Sequence, residues 1–235
     1  MPTAVLLVAT HHRPKLLEQC ILHAKRFVVP EGWQFSITVG VNRRDLGVQV
    51  AHRLGAQIAF ANGTVVTDKF SAALRDAPPA DLYLMTGDDD FHSPLRLQET
   101  VRLWEQGHQW ISIGCSWYVN AATRRVARWE GRCNSRMGTF YAFDGELLRS
   151  RGWPKARKGA DYELVKHLGL DNQMPASLPP EVGWTSMCCQ HGKNLGKRKP
   201  FPARYQTVTH GPFWVTGYDV ADMPKALQEV VRVLT

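Results

Sequence analysis

Residues 4 to 10 read AVLLVAT, a run with no charge and no alternation of apolar and polar positions. A strand of that kind has no face to give to solvent, so it must lie inside a sheet that is covered on both sides. Pro14 follows, a residue suited to the first turn of a helix. Leu16, Leu17, Cys20, Ile21, Ala24, Phe27 and Val28 then recur on one face at helical spacing. The alternation continues. FSITVGV (35–41) predicts a strand, VQVAHRLGA (48–56) a short helix and QIAFA (57–61) a third strand. TDKFSAALRDA (67–77) predicts a helix ended by Pro78 and Pro79, and DLYLMT (81–86) a fourth strand. Strands and helices in turn predict an α/β fold with a mostly parallel central sheet flanked by helices.

The second half is less regular. PLRLQETVRLWEQG (94–107) predicts a helix, and residues 110–132 read as strands with a hairpin across Asn120–Thr123. GTFYAFDGELLRSRG (138–152) predicts a strand then a short helix, and DYELVKHLG (161–169) a helix stopped by Gly169. Composition shifts to Pro, Gly and basic residues over 171–204, and MPKALQEVVRVL (223–234) closes as an amphipathic helix. No repeat or low-complexity tract breaks the chain, so a single domain over residues 1–235 is expected.

No apolar stretch approaches the ~18 residues that a membrane span needs. The start, MPTAVLLVATHHRP, lacks a basic leader and a small-residue cleavage site, and reads as a first strand. Five cysteines without a CxxC pair fit free thiols in a reducing cytoplasm. CCQH at 188–191 fits buried thiols better than zinc, because adjacent cysteines chelate one tetrahedral ion poorly. Charge excludes more. The net charge is +8, and Arg124 to Arg204 alone holds 16 basic against 7 acidic residues, a surplus of nine. That half should face an anion: a nucleotide diphosphate, a nucleic acid, or an acidic glycan or lipid head group. Of the eight Trp, Trp117, Trp129 and Trp153 are candidates to stack on a sugar or base, with core packing expected for at least two.

The fourth predicted strand runs into Gly87-Asp88-Asp89-Asp90-Phe91-His92-Ser93-Pro94. Three successive carboxylates repel and raise one another's pKa unless a cation offsets them. They sit beyond the carboxyl end of a strand, where ligands of open α/β sheets bind. A hard divalent ion, Mg²⁺ or Mn²⁺, takes carboxylate oxygens and keeps positions open for phosphate oxygens, and Asp88 and Asp90 are spaced to share one. GxGxxG, GxxxxGK[ST] and GxSxG are all missing, which excludes the usual dinucleotide site, P-loop and nucleophile elbow. Thr10, Arg13 and Asn42, at the ends of the first two strands, are candidates for contacting a nucleotide.

In order and spacing these features resemble GT-A fold glycosyltransferases of the large family-2 type. The matching stretches are VAT-HHRPKLLEQCI after the first strand, ANGTVVTDKFSAAL before the aspartates, the DDDFHSP turn, and Ala160-Asp161-Tyr162-Glu163-Leu164 after RGWPKARKG. Gly87 stands where that family has its first acid, and Ala160 where it has a Glu. The resemblance implies a Rossmann-like sheet with a nucleotide-sugar half (1–94) and an acceptor half (95–235) ending in a basic loop. It implies Asp161 as catalytic base of an inverting transfer, and His191 or His210 as a further metal ligand. Donor contacts are expected from Thr10, Arg13, Asn42, Lys69, Asp88 and Asp89. Lys193 and Lys197, with Arg198 and Lys199, are expected to close over the diphosphate. The expected donor is a UDP-sugar and the expected cofactor Mn²⁺ or Mg²⁺. The surplus of basic charge points to an anionic acceptor, one specific form being a hydroxymethylated base in DNA, as used by phage-type DNA glucosylating enzymes acting in the host cytoplasm. A polysaccharide or glycolipid acceptor is the alternative within the class. A nucleotidyltransferase ranks below, since ATHHRPK lacks the glycines of its loop.

Overall fold

The structure, a computed structural model, describes residues 1–112, 115–120, 125–130, 141–156, 160–178, 184–190 and 213–218, with isolated positions from 221 to 232. Strands β1 (Thr3–Ala9), β2 (Gln34–Val41), β3 (Gln57–Phe60) and β4 (Leu82–Gly87) alternate with helices α1 (Pro14–Ala24), α2 (Gly47–Arg53) and α3 (Val66–Asp76). Then come β5 (Asp90–Phe91), α4 (Arg96–Glu105), β6 (Trp110–Ser112), β7 (Cys115–Asn120) and β8 (Arg125–Glu130). The chain continues through β9 (Ala142–Asp144), α5 (Gly145–Arg151), α6 (Ala160–His167), β10 (Ala176–Ser177), β11 (Trp184–Gln190) and β12 (Phe213–Tyr218).

The central sheet has seven strands in the order β10-β6-β9-β4-β1-β2-β3. β1 pairs in parallel with both β2 and β4, β2 with β3, and β6 with β10, while β9 runs antiparallel to β4 and β6. The double burial read from AVLLVAT is what the side chains do. Ala4, Leu6 and Val8 join the core beneath α1, α2 and α4, with Leu17, Ile21, Val50 and Leu97. Val5, Leu7 and Ala9 join the opposite core beneath α3, α5 and α6, with Phe70, Leu148 and Leu164. Successive side chains thus serve two cores, which is why residues 4–9 of β1 are all apolar. Gly169, in the left-handed region at φ 72°, follows the last turn of α6 as expected.

A second sheet, order β12-β8-β7-β11-β5, was not foreseen. The hairpin of β7 and β8 is antiparallel as expected, but its partners come from distant segments. β11 falls within the Pro-, Gly- and basic-rich stretch and runs parallel to β7, while β12 pairs with β8. Such pairing is fixed by long-range register rather than local pattern. The two-residue β5 pairs with β11 through Asp90–Cys188 and Phe91–Met187, so the aspartate turn bridges the two sheets. The helix expected over 223–234 lies outside the described residues, apart from isolated positions. Among the described residues no helix is long and apolar enough to cross a membrane.

One close approach fixes the N-terminal half of the chain. A Cβ on Gly40 of β2 would lie 1.9 Å from the carbonyl oxygen of Lys69 in α3, so only glycine lets the helix pack this near the strand. Gly40→Ala should destabilise by roughly 1–3 kcal/mol through overpacking against rigid backbone. Urea unfolding of the variant, with an unchanged m-value and a lower midpoint, is the check.

Candidate active site

β1 and β4 end side by side, and the backbone N–H of Asp88 donates to the Ala9 carbonyl at 3.2 Å. The next residues of both strands therefore face each other. Thr10 Oγ1 donates to Asp88 Oδ2 at 2.6 Å, and both residues are buried. Arg13, at the N-cap of α1, aims its guanidinium at the turn: Nε donates to Asp88 Oδ2 at 3.0 Å, Nη2 pairs with Asp88 Oδ1, and Nη1 pairs with Asp89 Oδ2 at 2.8 Å. Pro14 at the first helical position presets that entry and fixes where Arg13 begins. The cation that the carboxylate run demands is thus a side chain of the chain itself.

The three aspartates are not equivalent. The side chain of Asp88 has no exposure, whereas that of Asp89 is 14% exposed. Burial drives the Asp88 carboxyl up to about 7; Arg13 pulls it down, and the like charge of Asp89 adds to the rise. Burial also works against the Arg13 charge, but Asp88 and Asp89 more than offset it and raise that pKa. Asp90 is buried, and its Oδ2 accepts from the Gly87 N–H at 3.3 Å. A Cβ on Gly87 would lie 2.9 Å from Asp89 Oδ1 and 2.9 Å from Asp90 Oδ2. The missing first acid is therefore a space that two carboxylate oxygens enclose.

Asn42 and Lys69 are brought to the same edge but are tied locally. Asn42 Nδ2 donates to the carbonyls of Ala61 and Gly63, at 3.1 and 2.7 Å, pinning the loop before α3. Lys69 is buried and donates to the Thr64 carbonyl at 2.7 Å. Burial pushes its pKa down against the pull of Asp45, Asp68 and Asp88. The same loop borders a cavity of about 160 Å³ lined by Asn62, Asp68, Ser71, Arg75, Trp153 and Lys155 among others. Trp153 stacks on Phe70 there, at 4.8 Å between ring centres, while Trp117 is core. Thr67 Oγ1 donates to the Ala156 carbonyl at 2.7 Å, joining α3 to the segment before α6.

Asp161 lies in the first turn of α6, and nothing of its side chain is described. Lys193, Lys197, Arg198, Lys199, His191 and His210 lie outside the described residues, as does the side chain of Trp129 in β8. The sequence reading missed Arg96. Its side chain is buried beneath the turn and donates to the Met85 carbonyl at 2.9 Å. Burial drives its pKa down to about 9 against the pull of Asp90. A signal existed: Arg96 shares its helix face with buried Thr100 and Leu103, a cation on an otherwise sheltered stripe. Asp45 was missed as well. It is buried and accepts from the backbone N–H groups of His12 and Gly47, at 2.6 and 2.8 Å.

No protein-family model matches the sequence, and no curated protein matches it. Solved structures do. The chain is similar to residues 1–349 of S. aureus TarS in complex with UDP, with TM-score 0.62 and 12% identity over 81% of this chain and 61% of that one. It is similar to glucosyl-3-phosphoglycerate synthase from Mycobacterium tuberculosis with Mn²⁺, UDP and glucosyl-3-phosphoglycerate, with TM-score 0.52 and 16% identity over 75% and 70%. The mannosyltransferase PcManGT from Pyrobaculum calidifontis, in complex with GDP-Man and Mn²⁺, gives TM-score 0.54 and 16% identity over 83% and 57%. These are GT-A glycosyltransferases, and the chain has their fold. It spans about three-fifths of the length of the TarS fragment.

The Asp88 pKa carries a sign that can be tested. Its folded value, about 7, stands above the ordinary 3.8, so between those values the folded chain binds the extra proton. The Asp88 contribution is then fully present below about pH 4 and is lost as pH rises through about 7. Asp88→Asn should abolish that slope. The difference in urea stability between wild type and variant, followed across this window, should shrink in favour of the variant as pH rises.

Proposed function

We propose that the chain is a metal-dependent nucleotide-sugar glycosyltransferase, with a UDP-sugar as donor and inversion at the anomeric carbon. The observation that carries this reading is the pair of carboxylate oxygens, from Asp89 and Asp90, that enclose the space over Gly87 at the carboxyl edge of a GT-A sheet. All-oxygen donors of this kind suit Mg²⁺ or Mn²⁺. Asp89 and Asp90 would hold the ion, and Asp88 anchors the turn through Thr10 and Arg13. When bound, the ion supplies charge stabilisation for the departing diphosphate.

The chain's own groups do the remaining work. Arg13 keeps the carboxylate run neutralised and oriented. Thr10, Asn42 and the loop that Asn42 holds shape the end of the sheet that receives the nucleotide, with buried Lys69 beneath it. Asp161, at the start of α6, takes the proton of the acceptor hydroxyl. His191 or His210 completes the metal shell, and Lys193 and Lys197 close over the diphosphate. The acceptor we favour is a hydroxymethylated base in DNA, on the strength of the surplus of nine positive charges between Arg124 and Arg204. On this reading the protein works in a reducing cytoplasm.

Thermal shift across a panel of nucleotide sugars should give stabilisation only where Mn²⁺ and the right donor are both present. Release of nucleoside diphosphate should fall by about 10² or more in Asp89→Ala and Asp90→Ala, and by about 10²–10⁴ in Asp161→Asn. Release of pyrophosphate instead would mark a nucleotidyltransferase and overturn the proposal. For the acceptor, titration of duplex DNA over a salt series should give binding that weakens steeply with salt. No binding at low salt removes DNA and leaves a polysaccharide or glycolipid.

A further inference from the structure

We infer that His11, His12 and Asp45 form a second cation site, selective for a borderline-soft transition ion such as Zn²⁺ or Co²⁺ and separate from the aspartate turn. One ligand atom from each of the three lies within 4.8 Å of the others, although they come from two different strand ends. The two imidazole rings sit 4.6 Å apart, and His12 Nδ1 is 3.8 Å from Asp45 Oδ2. His11 Nδ1 is buried and has no hydrogen-bond partner among the described residues. A buried ring nitrogen left in this way has lost water without gaining a partner, and a metal ion is one group that satisfies it.

The scaffold holds the three in place. Asp45 is 3% exposed, and both its oxygens are oriented by backbone N–H groups, those of His12 and Gly47. A carboxylate oxygen has a further lone pair for a metal after accepting one such bond. His12 adopts φ 53°, a left-handed conformation that side chains other than glycine seldom occupy. That turn brings its backbone N–H, and with it the ring, to Asp45. Two imidazoles and one carboxylate form a donor set that suits zinc-class ions with an open position for water or an oxygen ligand, whereas Mg²⁺ and Ca²⁺ prefer oxygen alone. The site shares no ligand with Asp88, Asp89 or Asp90, so its occupancy can be read by metal binding alone, apart from sugar transfer.

The test is a Co²⁺ titration of tag-free full-length protein, read by visible absorption, with Zn²⁺ added as competitor. A saturable band of tetrahedral or five-coordinate character, displaced by Zn²⁺, is expected. His11→Ala and His12→Ala should each weaken the Co²⁺ binding that gives this band by about tenfold or more, while His108→Ala, at an exposed histidine outside both sites, leaves it unchanged. Protection of His11 and His12 from carbethoxylation by Zn²⁺, mapped by mass spectrometry on the wild type, gives the same answer if a variant does not fold. Absence of the band, a band that survives in the doubly substituted His11→Ala/His12→Ala chain, or unprotected histidines overturns the inference.

Discussion

A single guanidinium decides whether this sheet edge can exist. β1 and β4 are neighbours, and any acid placed just past β4 is pushed against the end of β1. Burying an unpaired carboxylate there would cost several kcal/mol. Arg13 offsets part of that cost by meeting Asp88 with both Nε and Nη2 while reaching Asp89 with Nη1, although burial still holds the Asp88 carboxyl above its ordinary value. Planar donors in a fixed fork suit this task in a way that a lysine ammonium does not. The pair also ties secondary structure together. Asp88 belongs to the exit of β4 and Arg13 to the cap of α1, so the ion pair fixes how the first helix leaves the first strand.

The same turn joins the two sheets. β4 ends in the central sheet at Gly87, and three residues later Asp90 pairs with β11 of the second sheet. The turn therefore has little freedom, and its carboxylates stand on backbone that is hydrogen-bonded on both sides. Arg96 underlies it, spanning from α4 to the Met85 carbonyl of β4, with the pull of Asp90 opposing its desolvation. Two cations thus flank the acidic run, Arg13 at the mouth and Arg96 beneath. A site made from rigid strand ends and locked rotamers keeps its geometry between ligands, which is what electrostatic preorganisation requires.

Much of the N-terminal half was legible because its signals are local. AVLLVAT announces burial on both faces, Pro14 announces a helix start, and the observed strands and helices up to Gly87 fall within about a residue of the expected ones, except that α1 ends at Ala24 and α2 at Arg53, four and three residues short of the expected reach. The aspartate turn was legible as a site from its place after an apolar strand. Its internal division was not. Nothing in DDD says that Asp88 turns inward to Arg13 while Asp89 and Asp90 enclose the space over Gly87, since that follows from the parallel register of β1 and β4. The second sheet escaped for the same reason: β5 starts at Asp90 and β11 at Trp184, 94 residues further on, and each is too short or too polar-flanked to declare its partner.

The unequal burial of the three aspartates has a chemical consequence. If all three were exposed, each would stay ionised and hydrated, and an incoming cation would have to strip water from every one. If all three were buried, the run would hold protons and lose its charge. The chain takes a middle course. Asp88, fully sheltered, gives its charge to Arg13, and Asp89, partly exposed, shares that same cation through one oxygen. Its other oxygen, Oδ1, is the one that faces Asp90 Oδ2 across the space above Gly87. Placing a side chain at residue 87 would close that space, so the glycine at residue 87 and the convergence of Asp89 and Asp90 are one structural fact. Asp89 is thus compensated by Arg13 through one oxygen while the other is turned to the space above Gly87 beside Asp90, so the acidic run is neutralised in part without every carboxylate oxygen being spent on the guanidinium.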